Sequence, residues 1–229
     1  MVVKLAMNAH KVYLAGDDDQ AIYEWNGADV SFFQTFPGKI KILQQSRRLN
    51  KKVHFFSKCI LNGMEGYRVK KEFTSNGNDG EIHKWSTLKK IPWAHPNQVF
   101  NFEQLHLQGG MTQEKGQWDN SFMRKFKDKE KVYFRKLINN EINLDDKAKI
   151  IIDTIHQVKG GEADHVVLSA KCNFPSHFDR KNLEERIKEL RVWYTGVTRT
   201  INTLHLLGTY HKYHFPLSKY YKLYKSNYA

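Results

Sequence analysis

Four stretches of this 229-residue chain hold side chains whose types and spacing suit phosphate and nucleic-acid chemistry. In Gly16-Asp-Asp-Asp-Gln20-Ala-Ile-Tyr23-Glu-Trp25-Asn-Gly27-Ala28 a polar amide follows an apolar run, where it can orient a water or touch a terminal phosphate. Tyr23 and Trp25, a few residues on, can stack a base. In Leu43-Gln-Gln45-Ser-Arg47-Arg48 a guanidinium pair follows a second apolar run, and arginine there can hold phosphoryl oxygens bidentately. The third stretch, Thr154 to Val167, sets Thr154, His156 and Lys159 beside Gly160-Gly161-Glu162, so that backbone N–H groups can approach a phosphate. In the fourth, Glu189 to Thr200, Arg191, Thr195 and Thr198 fall near one helix face with Arg199 one step round and Tyr194 beside them. Singly, each also fits a plainer reading: a polar turn with packing aromatics, a solvated arginine pair, an amphipathic helix with surface arginines.

The elements that must position these groups follow from apolar periodicity. Residues 11–16 (KVYLAG) and 39–43 (KIKIL) read as strands, the first buried, and residues 50–62 carry Val53, Phe56, Ile60 and Leu61 at helical spacing. Turn signals at Asn76-Gly77 and Asp79-Gly80 precede a strand or hairpin start at 81–85. Residues 86–120 show no clear period, and 120–140 turn helical and basic. Apolar runs at 149–154 and 165–170 bracket the glycine pair. Asn182 then caps a helix over 183–200, and 203–207 reads as the next strand. Strands alternating with helices predict a parallel α/β sheet, and Asp17 to Asp19 read as residues that cap a turn.

Composition narrows the partners. With 37 Lys plus Arg against 24 Asp plus Glu, the net charge of +13 suits a nucleic acid. Residues 39–71 alone hold 10 basic residues and 1 acidic one, a balance of 10 − 1 = +9 that suits a single strand. The tail carries tyrosines among lysines, which could hold nucleic acid, and reads rather as a closing segment packed on the sheet. No apolar run of about 18 residues is present and the first residues lack a signal-peptide pattern, so no membrane role and a cytoplasmic location are expected. Cys59 and Cys172 read as two reduced thiols, and His205, His211 and His214 lack a second ligand cluster, so no metal site is expected in this chain.

Taken together, in this order, the four stretches resemble the C-terminal motif series of the superfamily 1 DNA helicases of the UvrD/Rep type, and look closest to short phage versions. That series runs roughly GDxDQxIYxWRGA, LxxNYR, TxHxxKGxE and a helix ending VxxTR, and the resemblance covers about residues 10–50 and 148–210. It implies a RecA-like parallel sheet flanked by helices, the second motor domain, with a small inserted segment and a remnant of the first. The implied division is 1–35 for the remnant, 36–85 with 148–215 for the second domain, 86–147 for the insert and 216–229 for a basic aromatic tail. Gln20 then matches the sensor of the ATP γ-phosphate and attacking water, and Arg48 and Arg199 match the two arginine fingers. Glu162 matches the ribose-binding acid, with Arg47, Gly160 and Tyr194 also on the nucleotide side. Trp25 and Tyr23 match base-stacking aromatics, and Thr154 and His156 the DNA-backbone motif.

Two positions depart from the pattern: Arg47 stands where the NYR tyrosine would stack on adenine, and Asn26 replaces the arginine of the WRG triplet. The phosphate loop and Asp-Glu pair of the resembling enzymes are missing from these 229 residues. The resemblance therefore implies ATP with Mg²⁺ as cofactor, the metal ligands lying on a separate N-terminal helicase half acting in trans, and no ATP hydrolysis by this chain alone. It implies single-stranded DNA as partner and a bacterial or phage-infected cytoplasm as the setting. The competing expectation is a non-catalytic module that binds single strands or docks a partner.

Overall fold

Asn50 sets the first long helix of the protein. Its side chain accepts from the Val53 N–H at 2.9 Å, and its amide donates to the carbonyls of Ile201 and Asn202 at 2.8 and 3.0 Å. One residue thus caps helix α2 (Lys51–Leu61) and ties it to a strand. Gly80, at φ +62°, lies so close that an added Cβ would sit 2.0 Å from the Asn50 side chain. The structure, a computed structural model, describes residues 9–86, 151–172 and 182–228. Its other elements are α1 (Val30–Thr35), β1 (Glu81–Trp85), β2 (Ala163–Ser169), α3 (Leu183–Val197), β3 (Thr200–Leu207) and α4 (Leu217–Tyr228). Contacts divide the chain into a unit of Met1–Thr87 with Ile155–Ala229 and a second of Leu88–Thr154.

The three strands form a parallel sheet in the order β1-β3-β2, with Ile82 opposite Leu204 and Val166 opposite Leu204 from the other side. Parallel strands need crossovers, and α3 supplies the one between β2 and β3. Because strand side chains alternate, Ile82, Leu168, Leu204 and Leu206 share one face. That face packs with Val53, Phe56 and Ile60 of α2, Leu190, Tyr194 and Val197 of α3 and Tyr220 and Tyr224 of α4 in one core. The result is a RecA-like α/β arrangement, a parallel sheet flanked by helices, as the sequence implied. Asn182 caps α3 by accepting from the Glu184 N–H at 3.0 Å.

Three expected strands differ. Residues 11–16 form no strand and are unpaired among the described residues, with Tyr13 89% exposed and Val12 and Leu14 also accessible. Residues 39–43 are likewise unpaired; only the following Gln45 bridges to Thr74, and Leu43 is 79% exposed. Residues 151–154 form no strand. Apolar alternation marks a segment able to join a sheet, but a strand exists only where a neighbour completes the ladder. The tail folds as α4 and packs chiefly on α2, Tyr224 lying 6.0 Å from Phe56 and 6.1 Å from Phe55. The expected helix at 120–140, and nearly all of the irregular stretch at 86–120, lie outside the described residues.

The other sheet face carries imidazoles. His205 on β3 lies 5.5 Å from His83 and 5.9 Å from His165, and its Nδ1 accepts from Trp85 Nε1 at 3.0 Å. That bond requires an unprotonated Nδ1. Burial, then the His83 and His165 imidazoles, pull the His205 pKa down to about 4, with Glu81 opposing. The folded value lies below the unfolded value of about 6.5, so the contribution to stability is complete above that pH and is lost as pH falls toward about 4. The thermal midpoint is therefore expected to drop between pH 7 and pH 5, two settings that straddle the unfolded value. His205→Asn, which keeps an acceptor for Trp85, is expected to flatten that dependence. An equally steep profile in the variant would show that other groups carry it.

Candidate nucleotide and nucleic-acid site

Asp17 organises the turn that presents Gln20. Its carboxylate accepts from the Asp19 N–H at 3.2 Å, capping the tight turn Asp18–Gln20, and its other oxygen accepts from Gln20 Nε2 at 2.6 Å. The expected capping role of the aspartates is present, with more beside it. Asp19 takes a forked pair of bonds from Arg68 at 2.8 and 2.6 Å, and Asp18 accepts from the Val69 N–H and from Lys71. The three carboxylates converge as a metal site would. Their space is filled by an ammonium and a guanidinium.

Arg199 follows the last turn of α3 and is 5% exposed. It donates to the Thr195 and Gly161 carbonyls at 3.0 and 3.1 Å and to Gln20 Oε1 at 2.6 Å. Gly196 makes this approach possible, since a Cβ there would stand 3.0 Å from Ile155 and 3.1 Å from Leu168. The loop that starts at Ile155 thereby lies against the end of α3. Gly160 turns it at φ +94°, which favours glycine, and Glu162 follows, 3.3 Å from Arg48. Gln20, Arg48, Glu162 and Arg199, spread over 179 residues of sequence, share one locus.

The electrostatics of that locus favour an anion. Burial, then the neighbouring Arg48, pull the Arg199 guanidinium below the ordinary arginine value. Burial, then Arg199, do the same to Lys159. Half-buried cations set close together, only partly offset by Glu162 and Asp17, make a place where a polyphosphate would be favoured. Arg48 Nε is buried without a hydrogen-bond partner among the described residues. These groups fit the phosphate side of ATP. Mg²⁺ finds no comparable fit, because Asp17, Asp18 and Asp19 are already neutralised by Arg68 and Lys71.

An aromatic step lies beside the same loop. Tyr23 donates to the His156 carbonyl at 2.6 Å, its ring 6.1 Å from the His156 ring and 4.9 Å beneath Lys159 Nζ. Trp25 meets Tyr23 edge-on at 6.3 Å and is 75% exposed. A large indole left in water beside cations suits a stacked base.

Other expected residues lie differently. Arg47 and Gly160 are exposed at the site's margin, whereas Tyr194 is buried in the core, its phenol pushed up mainly by burial. Thr154 belongs to the second unit. The basic stretch 39–71 is less open than its composition suggests, since Arg48, Lys51, Arg68 and Lys71 are all engaged by carboxylates. Arg68 and Lys71 escaped sequence reasoning because their aspartate partners lie about fifty residues away. Arg191 was seen only as part of a helix face; it bonds Glu24 and donates to the Tyr67 carbonyl at 3.0 Å, holding the Trp25 turn to α3.

The chain is similar to known proteins. The family model of the UvrD-like helicase C-terminal domain matches residues 112–212, and that of the UvrD/REP helicase N-terminal domain matches residues 1–41. A probable DNA helicase of Mycoplasma pneumoniae is 25% identical over 222 residues, 90% of this chain and 40% of the relative. DNA helicase II of Escherichia coli is 37% identical over 82 residues, 34% of this chain and 11% of that enzyme, and DNA helicase II of Salmonella typhimurium matches to the same extent. The chain thus spans well under half the length of these relatives. Two stretches of the chain are thus similar to the N-terminal and C-terminal domains of UvrD/REP-type helicases, and most of its length is similar to a probable DNA helicase.

Proposed function

We propose that this chain supplies the second motor domain of an ATP-dependent helicase that moves along single-stranded DNA. The observation that carries this reading is the convergence of Gln20, Arg48, Glu162 and Arg199 on one cation-rich locus. In it, Arg48 and Arg199 stabilise charge on the γ-phosphate as arginine fingers while Gln20 holds the attacking water. Glu162 faces the ribose, with Arg47 and Gly160 on the nucleotide side and Tyr194 in the core behind them. Tyr23, Trp25 and His156 carry the DNA, so that closure of the cleft on ATP shifts the strand past Trp25. The phosphate loop and the Mg²⁺ ligands come from a first motor domain outside these residues. None of the described helices is long and apolar enough to cross a membrane, and the proposed setting is the cytoplasm.

Two measurements test the proposal. The chain alone is expected to bind a fluorescent oligothymidylate with salt-sensitive affinity, and Trp25→Ala to weaken it about ten- to hundredfold, the worth of one base stack. Unchanged affinity would remove Trp25 from the DNA path. Addition of a phosphate-loop-bearing domain is expected to produce DNA-stimulated ATP hydrolysis. Binding without hydrolysis at any ratio of the two halves would favour the non-catalytic single-strand-binding module.

A further inference from the structure

A continuous hydrogen-bonded line runs from a lysine that belongs to none of the motif stretches to the proposed phosphate-facing groups. Lys71 Nζ bonds Asp17 Oδ1 at 2.5 Å; Asp17 Oδ2 accepts from Gln20 Nε2 at 2.6 Å; Gln20 Oε1 accepts from Arg199 Nη2 at 2.6 Å. Lys71 also bonds Asp18 and lies 3.0 Å from Asp19. We propose that Lys71 is a positioning residue for Gln20, fixing the orientation of its amide through Asp17; this rests on the reading of Gln20 as the γ-phosphate-facing group.

The chemistry of the amide makes the claim specific. A glutamine side chain has an acceptor end and a donor end of almost equal size, and its hydrogen bonds alone decide which points where. Here, turning the amide over would set oxygen against the Asp17 carboxylate and N–H groups against the Arg199 guanidinium. Both contacts would become repulsive. The carboxylate performs this selection only while it is ionised and held in place. Of the two cations in the cluster, Arg68 is committed to Asp19, and Asp18 has the Val69 N–H and the Gln34 amide besides. Asp17 has Lys71 as its cation among the described residues. Burial lowers the Lys71 pKa, but Asp17 and its neighbours more than reverse this, so the ammonium stays charged. The acceptor end of Gln20, the end that would orient a water, is thereby kept toward Arg199.

The test reads the amide itself. In a nitrogen-correlated NMR spectrum of the intact chain, the Gln20 side-chain pair, assigned by its loss in Gln20→Leu, is expected at a displaced position. Lys71→Met is expected to return it to the position of a solvent-exposed glutamine, and Lys71→Arg to keep it displaced. An unmoved pair in folded Lys71→Met would overturn the inference. Should Lys71→Met not fold, Asp17→Ala gives the same reading, because Asp18 and Asp19 keep Lys71 and Arg68; an unmoved pair there overturns it equally. With a phosphate-loop domain added, Lys71→Met is expected to lower kcat roughly tenfold at nearly constant KM, less than the 10²–10³ lost with a direct donor, and Lys71→Arg to restore it. A loss in Gln20→Ala without one in Lys71→Met overturns the positioning role and leaves the proposed function standing. No loss in either overturns the phosphate-facing reading and the positioning role with it.

Discussion

Replacing Arg199 with alanine is expected to reduce ATP turnover by the reassembled helicase about 10³-fold or more, the loss associated with removing an arginine finger. The side chain reaches Gln20 and lies among Arg48 and Lys159, so its removal takes away both the charge proposed to face phosphate and the partner of the Gln20 oxygen. It also takes one donor from each of the Thr195 and Gly161 carbonyls, a cost of about 1 kcal/mol each at most, since the first keeps Thr198 Oγ1 at 3.0 Å and the second belongs to an exposed residue. Arg199→Lys separates the two effects. Lysine keeps the charge and loses the planar fork, so turnover is expected to fall while the fold persists. ATP hydrolysis paired with a melting curve for each variant is the check. A folded Arg199→Ala protein with normal turnover would remove this residue from the mechanism.

The largest effect on folding is expected at Phe215. Its ring is fully buried, stacked at 4.3 Å on Trp193 of α3 and at 5.5 Å on Tyr220 of α4, while its N–H donates to the Ala170 carbonyl beyond β2. Phe215→Ala should cost about 3–5 kcal/mol, the range for emptying a large buried aromatic site. Domains have only about 5–15 kcal/mol in total, so much of the population would unfold at moderate temperature. Lys219→Ala, an exposed change on α4, should stay within about 0.5 kcal/mol. Urea midpoints measured side by side decide it; equal midpoints would mean that Phe215 does not join the helices as described.

Elements that carry their own core were legible in the sequence. The α2 stretch with Val53, Phe56 and Ile60, the Asn182 cap of α3, and the apolar runs of β2 and β3 announce their structure locally, because burial and capping depend on residues close by in the chain. Residues 11–16 and 39–43 did not fold as read, because their alternation specifies a willingness to pair and says nothing of the partner. The site divides in the same way. Gln20 and Arg199 stood out by motif and do meet. The cations that organise the aspartates had no such mark: Lys71 and Arg68 looked like two charges in a basic run, and charge composition is blind to pairing across fifty residues. Glu24 and Arg191, 167 residues apart, illustrate the same limit.

The contrast between Trp25 and Trp193 has an optical consequence. One indole stands in water on the proposed DNA path; the other is sealed between α3 and Phe215. In a variant with Trp85, Trp93 and Trp118 replaced by phenylalanine, a water-soluble quencher such as iodide should extinguish the first and spare the second, so tryptophan fluorescence divides into a surface signal and an interior one. Oligonucleotide should shield the surface signal from iodide without touching the interior one. Denaturant should do the reverse, opening Trp193 to the quencher, so occupancy and unfolding can be followed in one cuvette without attaching a dye.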